Sequence, residues 1–347
     1  MAGDRQHFLP RFLMKGFASR VEGKKVFVWL YRKGAAPREE STRNIGLEKG
    51  FYQTSQDTAD PDITAAEGSM VELVDHLRGL PTGSAADDVG VPEVIAHLVA
   101  RTKHIRESVE ALGDRAFERF EEFLASGQDF TRMVLDSPKT KQQILARIPA
   151  FLRPMAMQDF PSLLKRFENE CGPAFQAMVL DAMSQAQKGI PSLAKKTHVE
   201  LLRRDLAPET RVANYRELSW SVIDAPFPMI LGDVGVLFET AGARRYKPYD
   251  EKGDLLIGTY LPIASQRLLV GLHPDRSQTP PLEEIRAAYA SACRGFFVGS
   301  VQSEELKRLQ PLLGIESEIM SLDEVNRAFK EWMLEALPDL ENKNVVG

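Results

Sequence analysis

The sequence predicts an α+β fold in which one mixed or antiparallel sheet is built from both ends of the chain. Apolar runs rich in β-branched and aromatic residues, which are typical of strands, occur in residues 20–55 and again in residues 217–300. Residues 60–210 are instead rich in Ala, Leu, Met, Lys and Gln, which predicts a long helical insert. The expected parts are therefore residues 1–59 with the N-terminal motif and strands, the insert, and residues 211–347, whose strands and helices complete the core.

The N-terminal part predicts a short helix followed by a strand. Pro10 suits the first turn of a helix, and the apolar residues after it recur at helical spacing as far as Phe17. The segment Val26–Tyr31 reads VFVWLY between two glycines, which indicates a strand that is buried on both faces. The next apolar stretch, STRNIGLEKGFYQT from Ser41, predicts a second strand or an extended arm.

Several helices are expected in the insert. Residues 63–77 carry apolar side chains at helical spacing, and Gly79 and Pro81 then end the helix. Residues 92–124 continue the helical pattern, and a break is expected near Gly113. Further helical segments, separated by glycine and proline, are expected at residues 137–149, 154–188 and 191–205.

The C-terminal part predicts strands first and helices afterwards. Four short apolar runs indicate strands: LSWSVIDA, PMILGDVGVLFE, DLLIGTYLPI and QRLLVGLHPD. The segment PPLEEIRAAYASACRG predicts a helix, and FFVGS predicts a last strand. Two more helices are expected in SVQSEELKRLQPLLG and SLDEVNRAFKEWMLEAL, the second with a capping box of Ser321 and Glu324.

The charge of the chain is unevenly distributed. The formal net charge is -5, yet residues 1–50 contain eleven Lys and Arg against five acids, a local charge of +6. The rest of the chain therefore sums to -11. Such a basic head could attract an anionic partner, either a nucleic acid or a phosphate-containing small molecule. The alternative is that the head packs against the acidic body of its own chain.

Several classes of protein are disfavoured by what the sequence contains. No uninterrupted apolar run approaches the ~20 residues of a membrane span, and charged residues interrupt the N-terminal stretch, so neither a membrane protein nor a signal peptide is expected. The two cysteines lie far apart, which argues for the cytoplasm and against a disulfide framework. No nucleotide-cofactor motif occurs, and HExxH and GxSxG are also missing. A divalent metal remains compatible with the sequence.

His7 is the first candidate for a functional residue. Its ordinary pKa of about 6.5 suits acid or base chemistry near neutrality. If Pro10 begins a helix, His7 lies just outside its N-terminus, where free N–H groups attract anions and Arg11 adds positive charge. The helix dipole would also favour the neutral imidazole. The alternative is structural: His7 hydrogen-bonds a backbone carbonyl and anchors the N-terminus.

Four other residues complete the candidate site. Asp233 follows an apolar strand, where carboxylates often border a site, although an aspartate before a bend is also common in turns. Glu67 lies near the start of a predicted helix, where an acid also complements the dipole. His97, Arg101 and His104 lie on one face of the next helix, and the guanidinium of Arg101 between the two histidines would repel a metal ion. We therefore interpret them as a basic face for an anion.

The start of the chain resembles a bacterial family of uncharacterised proteins that carries an N-terminal His-x-x-Pro motif. The match lies in the segment QHFLPRFLMKGF, through Gln6, His7, Pro10, Phe12 and Phe17. The resemblance implies no reaction, because the family is one of unknown function.

Other segments carry the same resemblance along most of the chain. They are NIGLEKGFYQT, the helix start at Glu67, HLVARTKHIRESV, MILGDVGVLF and YLPIASQRLLVGL. One segment departs from the family pattern, since Gly-Asp-Val-Gly around Asp233 stands where the family often has Ser-Asp-x-Pro. This departure weakens any shared role for Asp233.

Three functions follow from these observations. The first is a hydrolase, for example a nuclease, that acts on a phosphate-containing substrate, with His7 as acid or base, Arg11 and Arg101 holding phosphate, and Asp233 and Glu67 orienting groups or binding a divalent ion. The second is a non-catalytic module that binds an anionic ligand or nucleic acid through the basic head. The third is a regulatory protein whose helical insert is the contact surface. A cleft that joins the candidate residues favours the first, and a large exposed apolar patch on the helices favours the third.

Overall fold

The structure, a computed structural model, describes residues 5–55, 57–86, 90–125, 138–251, 253–276, 278–319 and 327. It confirms the α+β class, because within these residues nine α-helices accompany twelve strands in three antiparallel sheets. The described residues separate into two compact units, one of residues 5–108 and 194–319 and one containing residues 109–193. All three sheets belong to the first unit, and so do the first helices of the expected insert.

The strands are short, and most of them lie at the two ends of the chain. In chain order they are β1 Arg5–His7, β2 Arg20–Glu22, β3 Lys25–Arg32, β4 Arg38–Ser41, β5 Leu47–Lys49, β6 Ser219–Asp224, β7 Leu231–Gly232, β8 Leu237–Thr240, β9 Tyr246–Lys247, β10 Leu256–Ala264, β11 Arg267–Leu272 and β12 Phe296–Gly299.

The α-helices dominate the middle of the chain. They are α1 Arg11–Met14, α2 Asp60–Gly79, α3 Val91–Ala100, α4 Lys103–Ala125, α5 Pro138–Ala146, α6 Arg153–Arg204, α7 Glu209–Arg216, α8 Leu282–Ala292 and α9 Glu304–Lys307.

One sheet is built from both ends of the chain, as the sequence predicts. The expected strand at Val26–Tyr31 is β3, which pairs with its neighbours β2 and β4 and, across the whole sequence, with β12. Strand β12 in turn pairs with β7, so a strand from the region of residues 218–273 does share the sheet of β3. Burial of Leu30 and Tyr31 in β3 and of Phe297 in β12 holds the two ends of the chain together.

The expectation of a single sheet is wrong, because the other C-terminal strands form a second sheet in the order β6-β11-β10-β8-β9. The chain passes from β6 of this second sheet to β7 of the first, and it returns to the second sheet at β8 after a turn in which Gly235 adopts a φ of +71°. A third sheet has only two strands, β1 and β5, with His7 opposite Leu47. This small sheet brings the start of the chain beside residues 45–52.

The helices of the insert differ from the expected ones at their breaks. The break expected near Gly113 falls instead between Ala100 and Lys103, and α4 continues through Gly113. The expected segments after residue 153 form one helix of 52 residues, α6, which contains Pro161, Pro173 and Pro191. A proline inside a helix removes one N–H donor and displaces one carbonyl. Such positions are where long helices commonly kink.

The remaining helices match the sequence analysis unevenly. In α2 the buried residues are Ile63, Met70, Val74 and Leu77, which have the helical spacing that predicts this helix. The helix expected after residue 300 is shortened to the four residues of α9 and one 3-10 turn. The capping box of Ser321 and Glu324 lies outside the described residues. In the part of the chain that is described, no helix has both the length and the apolar character needed to cross a membrane.

Candidate functional site

The imidazole of His7 is held by the main chain of a neighbouring segment. Its Nδ1 lies 3.0 Å from the carbonyl oxygen of Ile45. A carbonyl oxygen only accepts hydrogen bonds, so Nδ1 must carry the proton and Nε2 has the free lone pair. Nδ1 therefore makes the hydrogen bond to a backbone carbonyl that the structural alternative for His7 expects. The second ring nitrogen, Nε2, hydrogen-bonds no described residue and remains available for chemistry.

The segment that receives His7 depends on a glycine. The N–H of Leu9 donates to the carbonyl of Gly46 at 3.2 Å, directly after the Ile45 contact. Gly46 has a φ of +62°, and a Cβ at this position would lie 2.6 Å from Cβ of Leu9. Both the backbone conformation and the close approach thus require glycine. They fix the distance between the His-x-x-Pro segment and the Ile45 carbonyl.

Arg101 contacts the main chain of His7, and its side chain is 1% exposed. Its Nη2 donates to the carbonyl of His7 at 2.5 Å, and its Nη1 forms an ion pair with Glu67 at 2.6 Å. Nε donates to the hydroxyl of Tyr52 at 2.9 Å, and Nη1 lies 3.3 Å from Nε2 of His97. The structure thus joins three of the candidate residues, His7, Glu67 and Arg101, in one network of hydrogen bonds.

Tyr52 completes this network, and Gln6 fixes its main chain. The hydroxyl of Tyr52 donates to the carbonyl of His7 at 2.9 Å, while its main-chain N–H donates to the side-chain oxygen of Gln6 at 2.6 Å. Burial raises the pKa of the Tyr52 hydroxyl to about 12, against the effect of Arg101. The hydroxyl therefore keeps its proton at neutral pH and acts as a donor.

His7 is neutral at physiological pH. Burial lowers its pKa to about 4, the Ile45 hydrogen bond opposes this shift, and the charges of Arg11 and Arg101 lower the pKa further. The neutral form agrees with the sequence-based expectation, but the cause is different. Helix α1 has only four residues, so it lacks the dipole that the expectation assumed.

Arg11 is the cation expected to bind a ligand beside His7. It is partly buried, and its Nε is inaccessible to solvent and without a hydrogen-bond partner in the described part of the chain. Its charge acts on His7 strongly enough to lower the pKa of the imidazole. Arg11 is therefore close enough to His7 to act on the imidazole electrostatically.

Several other cations of the basic head already have partners. Arg20 pairs with Glu39 at 2.7 Å, and Arg38 lies 3.7 Å from Glu40. The head also supplies an acid to the body, since Glu48 pairs with Arg106 at 2.7 Å. These pairs use acids that belong to the head itself, so they do not reduce its surplus of positive charge.

Asp233 and His104 belong to a different cluster. The carboxylate of Asp233 accepts the main-chain N–H groups of Arg294, Gly295 and Phe296 at 2.9, 2.6 and 3.2 Å. Burial raises the pKa of this carboxyl, while His104 and the three N–H groups act in the opposite direction. His104 itself directs Nε2 to the carbonyl of Ala292 at 2.9 Å. Both side chains therefore fix the loop that leads from α8 into β12.

The described residues offer no ready-made metal site. Within them, no group of three or more His, Cys, Asp or Glu side chains is arranged to hold a metal ion. Glu67 is engaged by Arg101, and Asp233 by backbone N–H groups, so the two carboxylates expected to bind a divalent ion serve other partners.

Three contributors to the site escape the sequence analysis. Ile45 acts through its carbonyl, which any residue provides, so no side-chain pattern could indicate it. Tyr52 and Gln6 are polar groups at the ends of short segments, and only the pairing of β1 with β5 brings them together. A signal was nevertheless present, because both residues lie in segments that carry the family resemblance.

The fold and the site together define an α+β protein with a neutral histidine held between two chain segments and flanked by arginine. Comparison with known proteins places the chain in a family. Residues 5–286 match the model of the family described as protein of unknown function (DUF4238), and because the match covers more than half of the chain, the protein belongs to this family. No curated protein and no solved structure matches the chain.

Proposed function

We propose that this protein is a hydrolase that acts on a phosphate-containing substrate through His7. The observation that carries the proposal is the hydrogen bond from Nδ1 of His7 to the Ile45 carbonyl, which leaves the Nε2 lone pair free, while the charge of Arg11 acts on the same imidazole. A backbone carbonyl that fixes the tautomer of a histidine is a common way to prepare it as a proton acceptor. A cytoplasmic location belongs to the same proposal, since Cys171 and Cys293 are both free thiols.

The proposed chemistry assigns one role to each group. Nε2 of His7 takes the proton of a water molecule as its oxygen attacks phosphorus, and the leaving oxygen departs with the electrons of the broken P–O bond. The guanidinium of Arg11 binds the phosphate oxygens and stabilises their negative charge. The low pKa of His7 prevents it from acting as a general acid near neutrality, so a substrate with a good leaving group suits this site best.

A non-catalytic module that binds an anion is the second candidate. The observation that favours it is the engagement of both expected carboxylates, Glu67 with Arg101 and Asp233 with three N–H groups. Neither is free to act as an acid beside His7. In this case His7 and Arg11 would hold a phosphate without cleaving it.

An interaction role for the helical insert is supported by a separate observation. Several large apolar side chains of the segment from Phe151 into α6 are exposed, including Phe151 at 81%, Met155 at 63% and Leu193 at 64%. Where exposed apolar residues of this size form a contiguous patch, they favour contact with a partner. This role does not compete with the His7 site, because it concerns other residues.

Hydrolysis of p-nitrophenyl phosphate and bis(p-nitrophenyl) phosphate tests the first candidate. His7→Asn is the informative variant, because the Asn amide can still donate to Ile45 from the Nδ1 position but has no counterpart of Nε2. We expect hydrolysis to fall by about 10²–10⁴-fold, as for loss of a general base. The melting temperature should change by less than about 3 °C, since the structural hydrogen bond is kept. His76→Gln, an exposed histidine on α2, is the control and should leave the rate unchanged.

Two outcomes contradict the hydrolase. If the wild type cleaves neither substrate but binds inorganic phosphate in a manner that depends on Arg11, the binding module is the better description. If His7→Asn cleaves at the wild-type rate, the histidine has only the structural role.

A further inference from the structure

We propose that Arg101 is a positioning residue, which together with Tyr52 fixes the main chain of His7 and so sets the direction of its Nε2. This inference rests on the proposed function of His7 and replaces the expectation that Arg101 binds ligand. It concerns how the site is prepared rather than what it binds.

The hydrogen bonds of Arg101 leave little of its guanidinium for a ligand. An arginine has five N–H donors, and four directed contacts run from Arg101 to Tyr52, Glu67, His97 and the His7 carbonyl. The side chain is also 1% exposed, so a phosphate could reach it only after the network opened. A buried arginine with all its nitrogens engaged acts on its protein neighbours.

The carbonyl of His7 is the point at which Arg101 acts. It accepts two hydrogen bonds, from Nη2 of Arg101 at 2.5 Å and from the Tyr52 hydroxyl at 2.9 Å. The two donors also bond each other, because Nε of Arg101 donates to the same hydroxyl. Two linked donors on one carbonyl resist rotation of the peptide plane that follows His7.

The imidazole is fixed at its other end by Ile45. With the carbonyl held by Arg101 and Tyr52 and Nδ1 held by Ile45, both the backbone and the ring of His7 have defined positions. The ring cannot turn without breaking one of these bonds, so Nε2 keeps one direction. Such restriction is what a reactive group needs in order to meet its substrate in a productive geometry.

Arg106 provides a matched control for a buried arginine in the same part of the fold. It is 5% exposed, pairs with Glu48 at 2.7 Å and lies over the ring of Phe51 at 4.2 Å. None of its contacts reaches His7. A variant at Arg106 therefore reports the general cost of losing a buried arginine without disturbing the carbonyl of His7.

The experiment is ¹⁵N NMR of the histidine side chains in the full chain, with the His7 signals assigned by their loss in His7→Asn. The wild type should show a single Nδ1–H tautomer at His7. In Arg101→Met, we expect a mixture of the two tautomers and a pKa that rises by about 1 unit, since a neighbouring positive charge is lost. Tyr52→Phe keeps that charge but removes one of the two donors to the carbonyl and the link between them, so it should also give mixed tautomers. Arg106→Met should leave the His7 signals as they are in the wild type.

Unchanged His7 signals in both Arg101→Met and Tyr52→Phe would overturn the inference, as would an equal change in Arg106→Met. If Arg101→Met does not fold, Tyr52→Phe decides the question by the same signals. The readout requires no substrate, so the positioning role can hold even if no phosphate ester is cleaved. Equally, hydrolysis that depends on His7 but not on Tyr52 or Arg101 would retain the function and reject the positioning role.

Discussion

His198 makes the stability of this protein depend on pH in a calculable way. It lies near the end of α6, is 3% exposed, and directs Nε2 to the carbonyl of Ala100 at 2.8 Å. Burial lowers its pKa to about 4, the hydrogen bond opposes the shift, and the charge of Arg106 adds to it. The folded protein therefore keeps this imidazole neutral over a range in which the unfolded chain binds a proton.

The sign and size of the effect follow from proton linkage. Above pH 6.5 His198 is neutral in both states and has no effect on the free energy of unfolding. As the pH falls from 6.5 toward 4, the unfolded chain takes up the proton and the folded state does not, so stability is lost. Each pH unit in this window costs about 1.4 kcal/mol, and the loss at pH 5 is therefore about 2 kcal/mol.

His97 adds to the same loss. It is fully buried, and burial together with the charge of Arg101 lowers its pKa to about 3. At pH 5 it contributes a further loss of about 2 kcal/mol by the same calculation. The sum of about 4 kcal/mol is a large part of the 5–15 kcal/mol that stabilises a typical domain.

Urea unfolding at pH 8, 7, 6 and 5 measures this dependence, and His198→Gln isolates the share of one residue. The Gln amide can donate to Ala100 in place of Nε2 but does not titrate. Burial raises the pKa of Asp233. A carboxyl whose pKa is higher in the folded state than in the unfolded chain stabilises the folded state as the pH falls, which is opposite to the effect of His198. That contribution is common to both proteins and cancels in the difference. We expect the wild type to lose about 2 kcal/mol more than the variant between pH 8 and pH 5; parallel curves would refute the reasoning.

Two further predictions concern the glycine and the basic head. Gly46→Ala should lower the free energy of unfolding by about 2–4 kcal/mol, because the position has a positive φ and an added Cβ would overlap Leu9. Gly23→Ala is the control: this glycine has a φ of +56° but open space around it, so the free energy of unfolding should fall by only about 1–2 kcal/mol in the same urea titration. Equal losses would contradict this account. Binding of inorganic phosphate, measured calorimetrically, should weaken as salt rises and weaken further in Arg11→Ala with Lys15→Ala; affinity that ignores both changes would exclude the head as the anion site.

The helices and strands whose pattern involves only residues close together in the chain could be predicted from the sequence. The apolar run of β3 and the helical spacing of Ile63, Met70, Val74 and Leu77 in α2 describe side chains that share one face of one element. The cluster of strands at both ends, with helices between them, also predicted the α+β class. Each of these inferences uses only residues that are close in the chain, so no long-range pairing had to be known.

The breaks between helices and the division into three sheets were harder to infer. Prolines and glycines in α6 suggest helix ends, because a proline disfavours a helix interior by about 3 kcal/mol, yet the helix runs through them. The end of α3 at Ala100 has no such marker. It matters for the site, since it places Arg101 between two helices.

The sequence by itself determined the local chemistry of the site: a histidine two residues before a buried Leu-Pro pair, with arginine next to the proline. It also singled out Glu67 and Arg101. Only the tertiary structure decided how these residues are used. The pairing of β1 with β5 directs Nδ1 of His7 to Ile45, and burial directs Arg101 to the His7 carbonyl and away from solvent. It also sends Asp233 to three N–H groups of a different loop. The physical reason is that a buried polar group must find a hydrogen-bond partner, and the partner is whichever group the fold brings near, however distant in the chain.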